Sequence, residues 1–403
     1  MFSLRWMVIL LALSLGLAAC TPAASPTESP AEPSVPEADP VEAASPAAPT
    51  EESLVIADEN PPPGAANQFS TDFSKHSVSY NTILSGGPPK DGIPAIDAPS
   101  YVSIDDANEW IDDREPIVAV DVDGVARAYP LQILTWHEIV NDELNGKPMV
   151  VSFCPLCNTA IAFEREFDGQ ILDFGTTGRL RFSNLIMYDR QTETWWQQAT
   201  GDGIAGEYTN EQLTFYPAAM ISWADFKSQY PDGDVLSKDT GFNRSYGRNP
   251  YAGYDDINQS PFLFDGVYVD ILPPMTRVLT IELNEETVAY TYDLLEEVIV
   301  INDIVDNENI VIFWAEGTAS ALDEGSIAAG RDVGAAVAYA ADGKNFLVDN
   351  RLIKDEETGS TWNIFGEAID GELKGEVLRP VVAVNHFWFS WAAFKPETRV
   401  YQP

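Results

Sequence analysis

The feature that most constrains this chain is a pattern that comes twice. Gly124–Leu131 (GVARAYPL) parallels Thr287–Leu294 (TVAYTYDL), and Asn141-Asp142 parallels Asn302-Asp303. MVVSFCPLCNTAIAF, from Met149, parallels ENIVIFWAEGTASAL, from Glu308. Asp189–Gln197 (DRQTETWWQ) parallels Asp355–Asn363 (DEETGSTWN), and Trp223-Ala224-Asp225-Phe226 parallels Trp391-Ala392-Ala393-Phe394. The order is kept and the offset stays at roughly 160 to 170 residues, a domain-sized period rather than a solenoid one. Two tandem related modules are expected, 100–237 and 275–401, joined by a bridge over 238–274 rich in Gly, Asn, Asp and Tyr and preceded by an extension over 69–99.

Within the modules, Asp-Gly pairs at Asp123-Gly124, Asp168-Gly169, Asp202-Gly203, Asp265-Gly266 and Asp342-Gly343 are hairpin signals among β-rich runs such as Pro116–Val122. Helical patterns are fewer, with Leu131–Asn141, Ser222–Tyr230 and Phe389–Phe394 the best. The expected class is α+β, strand-dominated.

The first nineteen residues read as a signal peptide: Arg5, an apolar run from Trp6 to Leu17, then Ala18, Ala19 and Cys20. The run is too short for a permanent membrane helix. Leu17-Ala18-Ala19-Cys20 resembles a bacterial lipobox, which makes Cys20 the expected lipidation site and the membrane the expected partner, with the protein outside the cytoplasm. Residues 20–68, rich in Pro, Ala, Ser, Thr and Glu, read as a disordered tether. The chain carries 23 Lys+Arg against 63 Asp+Glu, a formal charge of −40. That excludes a nucleic-acid binder, which needs cations to displace phosphate counterions.

With Cys20 lipidated, the free thiols are Cys154 and Cys157 in Cys154-Pro155-Leu156-Cys157, directly after the apolar run Met149–Phe153. A C-x-x-C pair in this setting is a structural disulfide, a redox dithiol or part of a soft-metal site. Asn158 follows where c-type haem attachment needs His. His137-Glu138 lies on the helical pattern that also holds Asn141, and Asn141 rules out H-E-x-x-H. For redox chemistry the candidate set is Cys154, Cys157, His137 and Glu138, with His137 lowering a thiol pKa. For a metal the ligands would be Cys154, Cys157 and His137, which suit copper or zinc, with Glu138 orienting the ring. The second copy has none of these side chains. A rival reading is a non-catalytic surface binding or scaffold module in which Cys154-Cys157 is a structural disulfide. Whether the protein is an enzyme, and what protein or small molecule it meets, stay open.

HEIVND, VSFCPLCNTAIAF, SNLIMYDRQTE-x-WW, WADFKSQYPDGDVL and the closing HFWFSWAAFKPETRVY resemble the bacterial secreted and membrane-anchored family of domain of unknown function 3179. Asn158 stands where that family more often has Gly. The resemblance covers nearly everything after about residue 80 and implies a site at His137, Glu138, Cys154 and Cys157 without implying a reaction.

Overall fold

The computed structural model describes residues 60–403. The signal peptide, Cys20 and most of the tether expected from the sequence lie outside the described residues. Packing begins slightly ahead of Phe69: Ala65 is buried, and the Pro63 carbonyl accepts from Arg179 Nη2 at 2.8 Å.

The strand-dominated α+β class holds. In the first half a hairpin, Pro116–Val122 and Val125–Pro130, turns at Asp123-Gly124, both at positive φ. A short helix, Leu131–His137, follows and leads straight into an antiparallel meander, Ile139–Leu144, Lys147–Cys154 and Thr159–Glu164. A second sheet pairs Phe174–Arg181, Asn184–Asp189, Trp195–Gln197 and Gly203–Ala205 in order. Then Ala219–Ser222 returns to pair with Pro116–Val122, and beyond the helix Trp223–Gln229 the strand Asp234–Leu236 lies parallel to Val125–Pro130.

The second half runs through the same order. Arg277–Leu283 and Glu286–Thr291 form the hairpin, Tyr292–Val298 the helix, and Val300–Val305, Glu308–Ala315 and Ala335–Ala340 the meander. Phe346–Asp349, Leu352–Asp355, Thr361–Trp362 and Ala368–Asp370 form the side sheet. Ala383–Phe387 returns to Arg277–Leu283, and Arg399–Val400 lies parallel to Glu286–Thr291.

The pairing sets the register between the halves. Asn141 opposes Val150 as Asn302 opposes Val311, so Cys154 corresponds to Ala315 and Glu138 to Ile299. The parallel of MVVSFCPLCNTAIAF with ENIVIFWAEGTASAL sets Cys154-Pro155-Leu156-Cys157 against Phe313-Trp314-Ala315-Glu316, a slip of two. A slip of two keeps every side chain on its own face of a strand, so apolar alternation cannot detect it. Further expectations change. The helix stops at His137 rather than running to Asn141, Asp265-Gly266 lies in an irregular segment, and Asp342-Gly343 joins strands of two different sheets rather than closing a hairpin.

The polar architecture is also repeated. Asp189 accepts from the Thr192 backbone and hydroxyl at 2.6 and 2.9 Å and from Trp196 Nε1 at 2.9 Å. Asp355 does the same with Thr358 at 2.6 and 2.8 Å and Trp362 Nε1 at 3.0 Å. The Tyr129 hydroxyl donates to Asp142 at 2.6 Å, and Tyr290 to Asp303 at 2.7 Å. The halves do not stand apart. Leu322, Ile327, Phe387 and Phe389 share one core with Val118, Leu131, Met149 and Phe153.

Replacing Asp189 or Asp355 with Ala strands a buried indole N–H and a tight turn. Each substitution is expected to lower unfolding free energy by about 2–3 kcal/mol, read as a shift of the urea midpoint. Costs that differ widely between the two would show that the matching geometry hides unequal roles.

Candidate functional site

Glu138 owes its position to how the helix ends. Its N–H donates to Leu134 O at 2.7 Å, closing the last turn, and its φ of 58° reverses the chain. Its carbonyl then accepts from Phe153 N at 2.8 Å, tying the elbow to the strand that ends in Cys154. The side chain is thereby turned inward, where no described residue hydrogen-bonds its carboxyl. Burial alone pushes this carboxyl up to about 8, so it holds its proton at neutral pH. In the second half Ile299 sits at the same elbow, with φ of 66° and its N–H on Leu295 O at 2.7 Å. The backbone therefore does not need an acid here.

The cysteines follow on the adjoining strand. Cys154 ends it, Pro155–Cys157 form one 3₁₀ turn, and Thr159 opens the next strand opposite Cys154. Asn158 caps that turn at φ 52°, the left-handed region that Gly and Asn tolerate. This accounts for Asn at a position where the resembled family more often has Gly. Cys154 and Cys157 are free thiols, 2% and 0% exposed. The Cys154 thiol donates to Ser183 O at 3.7 Å. It is pushed well above its usual range by burial first, then by its hydrogen bond with Cys157 and by the nearby charges of Cys157 and Glu138. Ser183 belongs to a turn, Phe182-Ser183, in which both residues have positive φ without a glycine.

Tyr251 and Tyr254 pack against the core that holds Cys154, Leu156 and Cys157. The Tyr254 hydroxyl donates to Leu156 O at 3.0 Å and accepts from Phe262 N at 3.1 Å. Burial raises the Tyr251 hydroxyl, with the charges of Glu138 and Cys154 adding to it. Sequence reading passed over both tyrosines. The signal was the Tyr-rich bridge itself, since Tyr246, Tyr251 and Tyr254 fall close together in it.

His137 faces elsewhere. Its Nδ1 lies 2.8 Å from Pro94 O, a pure acceptor, so Nδ1 carries the proton and Nε2 accepts from the Tyr246 hydroxyl at 2.7 Å. Both ring nitrogens are thus committed. Among the described residues no group of three or more His, Cys, Asp or Glu is arranged to hold a metal. The expected ligand set of Cys154, Cys157 and His137 is not assembled, because the elbow at Glu138 puts neighbouring side chains on opposite sides. His386 is the imidazole linked to the cysteine turn. Thr159 Oγ1 donates to Cys157 O at 3.2 Å and meets His386 Nδ1 at 2.7 Å, while His386 Nε2 has no partner. Burial drops this imidazole to about 3, so it is neutral. Two clefts, of ≈380 and ≈500 Å³, run between the halves past Tyr230 and Tyr339 and past Trp391 and Gln212. Neither is lined by a cysteine.

Fold and site together define a strand-dominated α+β protein with a buried thiol pair beside a buried acid. The chain belongs to the family described as protein of unknown function (DUF3179), which it matches over residues 90–398. No curated protein and no solved structure matches it.

Glu138 has a folded pKa above its ordinary value of 4.5, so the unfolded chain releases this proton first as pH rises. Its contribution to stability is complete below 4.5 and is lost as pH climbs to about 8, by at most about 1.4 kcal/mol per unit. Glu138→Gln removes that loss. The variant is expected to match or trail the parent at pH 4.5 and to exceed it in melting temperature at pH 8.5. Parallel melting curves for the two proteins across that range would refute the buried-acid assignment.

Proposed function

We propose that the protein is a lipid-anchored, extracytoplasmic thiol–disulfide redox protein whose centre is Cys154, Cys157 and Glu138. The observation that carries this is the acid. An unpartnered carboxyl in the core is costly, and the equivalent elbow in the second half does without one. A site that keeps such a group beside two thiols has a use for its proton.

In the proposed step, solvent water takes the Cys154 proton as its sulfur attacks one sulfur of a partner disulfide. The other partner sulfur leaves and takes the proton of the Glu138 carboxyl, which becomes a carboxylate. Cys157 then gives its proton to that carboxylate as it attacks Cys154 in the mixed disulfide, and the second leaving sulfur takes a proton from solvent. The balance is one protein dithiol and one partner disulfide giving one protein disulfide and one partner dithiol. Cys154 attacks first in this scheme because it is the thiol that feels the neighbouring acid. The copper or zinc reading has less support, since His137 is spent on Pro94 and Tyr246.

The redox centre is tested on the purified folded body in glutathione or dithiothreitol buffers. Thiol counts should move from two to none across a measurable potential, and Glu138→Gln should slow oxidation about 10²-fold or more at pH 8. Two thiols that stay reduced in every buffer would remove the reading. A second reading, in which the pair is a permanent disulfide of a binding or scaffold module, is favoured by the burial of both sulfurs. It would show as a bond that never opens in the native state.

The anchor rests on the lipobox-like run and is tested separately. Cys20→Ala is expected to move the protein from the membrane fraction to the soluble fraction, and a variant that stays with membranes would place the anchor elsewhere.

A further inference from the structure

The redox reading leaves one difficulty: a partner disulfide cannot reach sulfurs that are 2% and 0% exposed. What covers them is specific. Between Leu236 and Arg277 the chain forms no helix or strand, apart from an isolated bridge at Arg248. This segment crosses the cysteine turn with Tyr251 and Tyr254 and is held by a few discrete fastenings.

Its first fastening is the Tyr246 hydroxyl on His137 Nε2. The next is a row of backbone bonds to a loop of the second half: Ile327 N to Gly247 O, Asn249 N to Gly325 O and Tyr254 N to Leu322 O, at 3.0, 3.2 and 3.2 Å. Asp255 is the firmest. Its buried carboxylate accepts from Arg277 at 2.6 Å, from Ser320 and from Arg331 at 2.9 Å. Beyond this clamp the hold is light. Phe262 is tied through its N–H to the Tyr254 hydroxyl and through its carbonyl to the Ser183 hydroxyl. Ile257, Phe262, Val267 and Ile271 all turn large apolar side chains to solvent. A segment held by a few discrete bonds, with no strand pairing beyond one isolated bridge and with its far part this exposed, opens at a fraction of the global unfolding free energy.

We propose that residues 246–262 are a lid over the Cys154–Cys157 turn. The lid is clamped at Asp255 by the second half and released at Tyr254, whose hydroxyl ties the cysteine turn to Phe262. This deepens the redox reading and rests on it: the open lid admits a disulfide on a polypeptide segment, and the closed lid keeps the dithiol from solvent oxidants. The loop that carries the clamp, residues 316–334, stands in the second half where the first has its cysteine turn. The half without reactive side chains thus governs access to the half that has them.

The test is thiol labelling of the reduced, folded body with a maleimide. Tyr254→Phe removes two hydrogen bonds and almost no volume. It should raise the labelling rate about tenfold, with no dependence on urea at concentrations well below the unfolding transition. Tyr339→Phe removes a comparable buried bond, to Ile364 O at 2.8 Å in the second half, and should leave the rate unchanged. Hydrogen exchange should show amides 251–262 opening before those of Lys147–Cys154. The lid is overturned if Tyr254→Phe labels no faster than the parent. It is equally overturned if labelling in both follows global unfolding, with a steep urea dependence. Failure of the redox reading is distinguishable: labelling would still respond to Tyr254→Phe while the two thiols formed no disulfide in any buffer.

Discussion

The site depends on one backbone constraint, the left-handed residue that ends each hairpin helix. At Glu138 and at Ile299 the chain closes a last helical turn and reverses, and its carbonyl is then caught by the strand that pairs with the one the elbow opens, at Phe153 N and at Trp314 N. A non-glycine residue at positive φ is strained, and the strain is held by hydrogen bonds on both sides. What the elbow does is turn one side chain into the core against the strand that ends at position 154 or 315. In the second half that side chain is Ile299, and the result is packing. In the first half it is Glu138, and the result is a protonated carboxyl against a thiol.

Around this elbow the two halves share a scaffold of buried polar locks that hold the same geometry around different side chains. Asp189 and Asp355 each gather a turn and an indole, and Asn141 and Asn302 each exchange two hydrogen bonds with an aromatic residue of the side sheet, Phe174 or Phe346. Each lock is fully satisfied, so removing a single member leaves the rest unpaired. The cysteine turn has no such lock in the second half. There the connection lengthens into residues 316–334, and its Leu322 and Ile327 reach into the core of the first half.

Much of this was legible in the sequence. Hairpin signals, short helices and strand dominance gave the class, and Asp123-Gly124 and Asp168-Gly169 close two-residue hairpins as read. The parallel between Asp189–Gln197 and Asp355–Asn363 is a geometric identity in the structure. What could not be read was direction. His137 and Glu138 read as neighbours on one helix that also holds Asn141, and only the positive φ at 138 separates them, because a polar residue in that conformation leaves no mark in a pattern of apolar spacing. Tyr251 and Tyr254 were missed for a related reason. They act from an irregular segment over a hundred positions in sequence from Glu138, and no periodicity connects the two.

In the proposed centre an acid and two thiols share a low-dielectric interior. Burial raises the carboxyl and the Cys154 thiol together, so at neutral pH every member of the set is uncharged and the core stays intact. The same burial makes any single ionisation unfavourable. A thiolate therefore forms only when the cover lifts and admits water to take the proton. His386, neutral and joined to the cysteine turn through Thr159, adds no charge to the balance. Reactivity in such a centre is governed by access more than by thiol acidity. The residues that decide it are the ones that hold the cover in place, Tyr254 and the carboxylate of Asp255, and they lie in the segment with the least regular structure in the body.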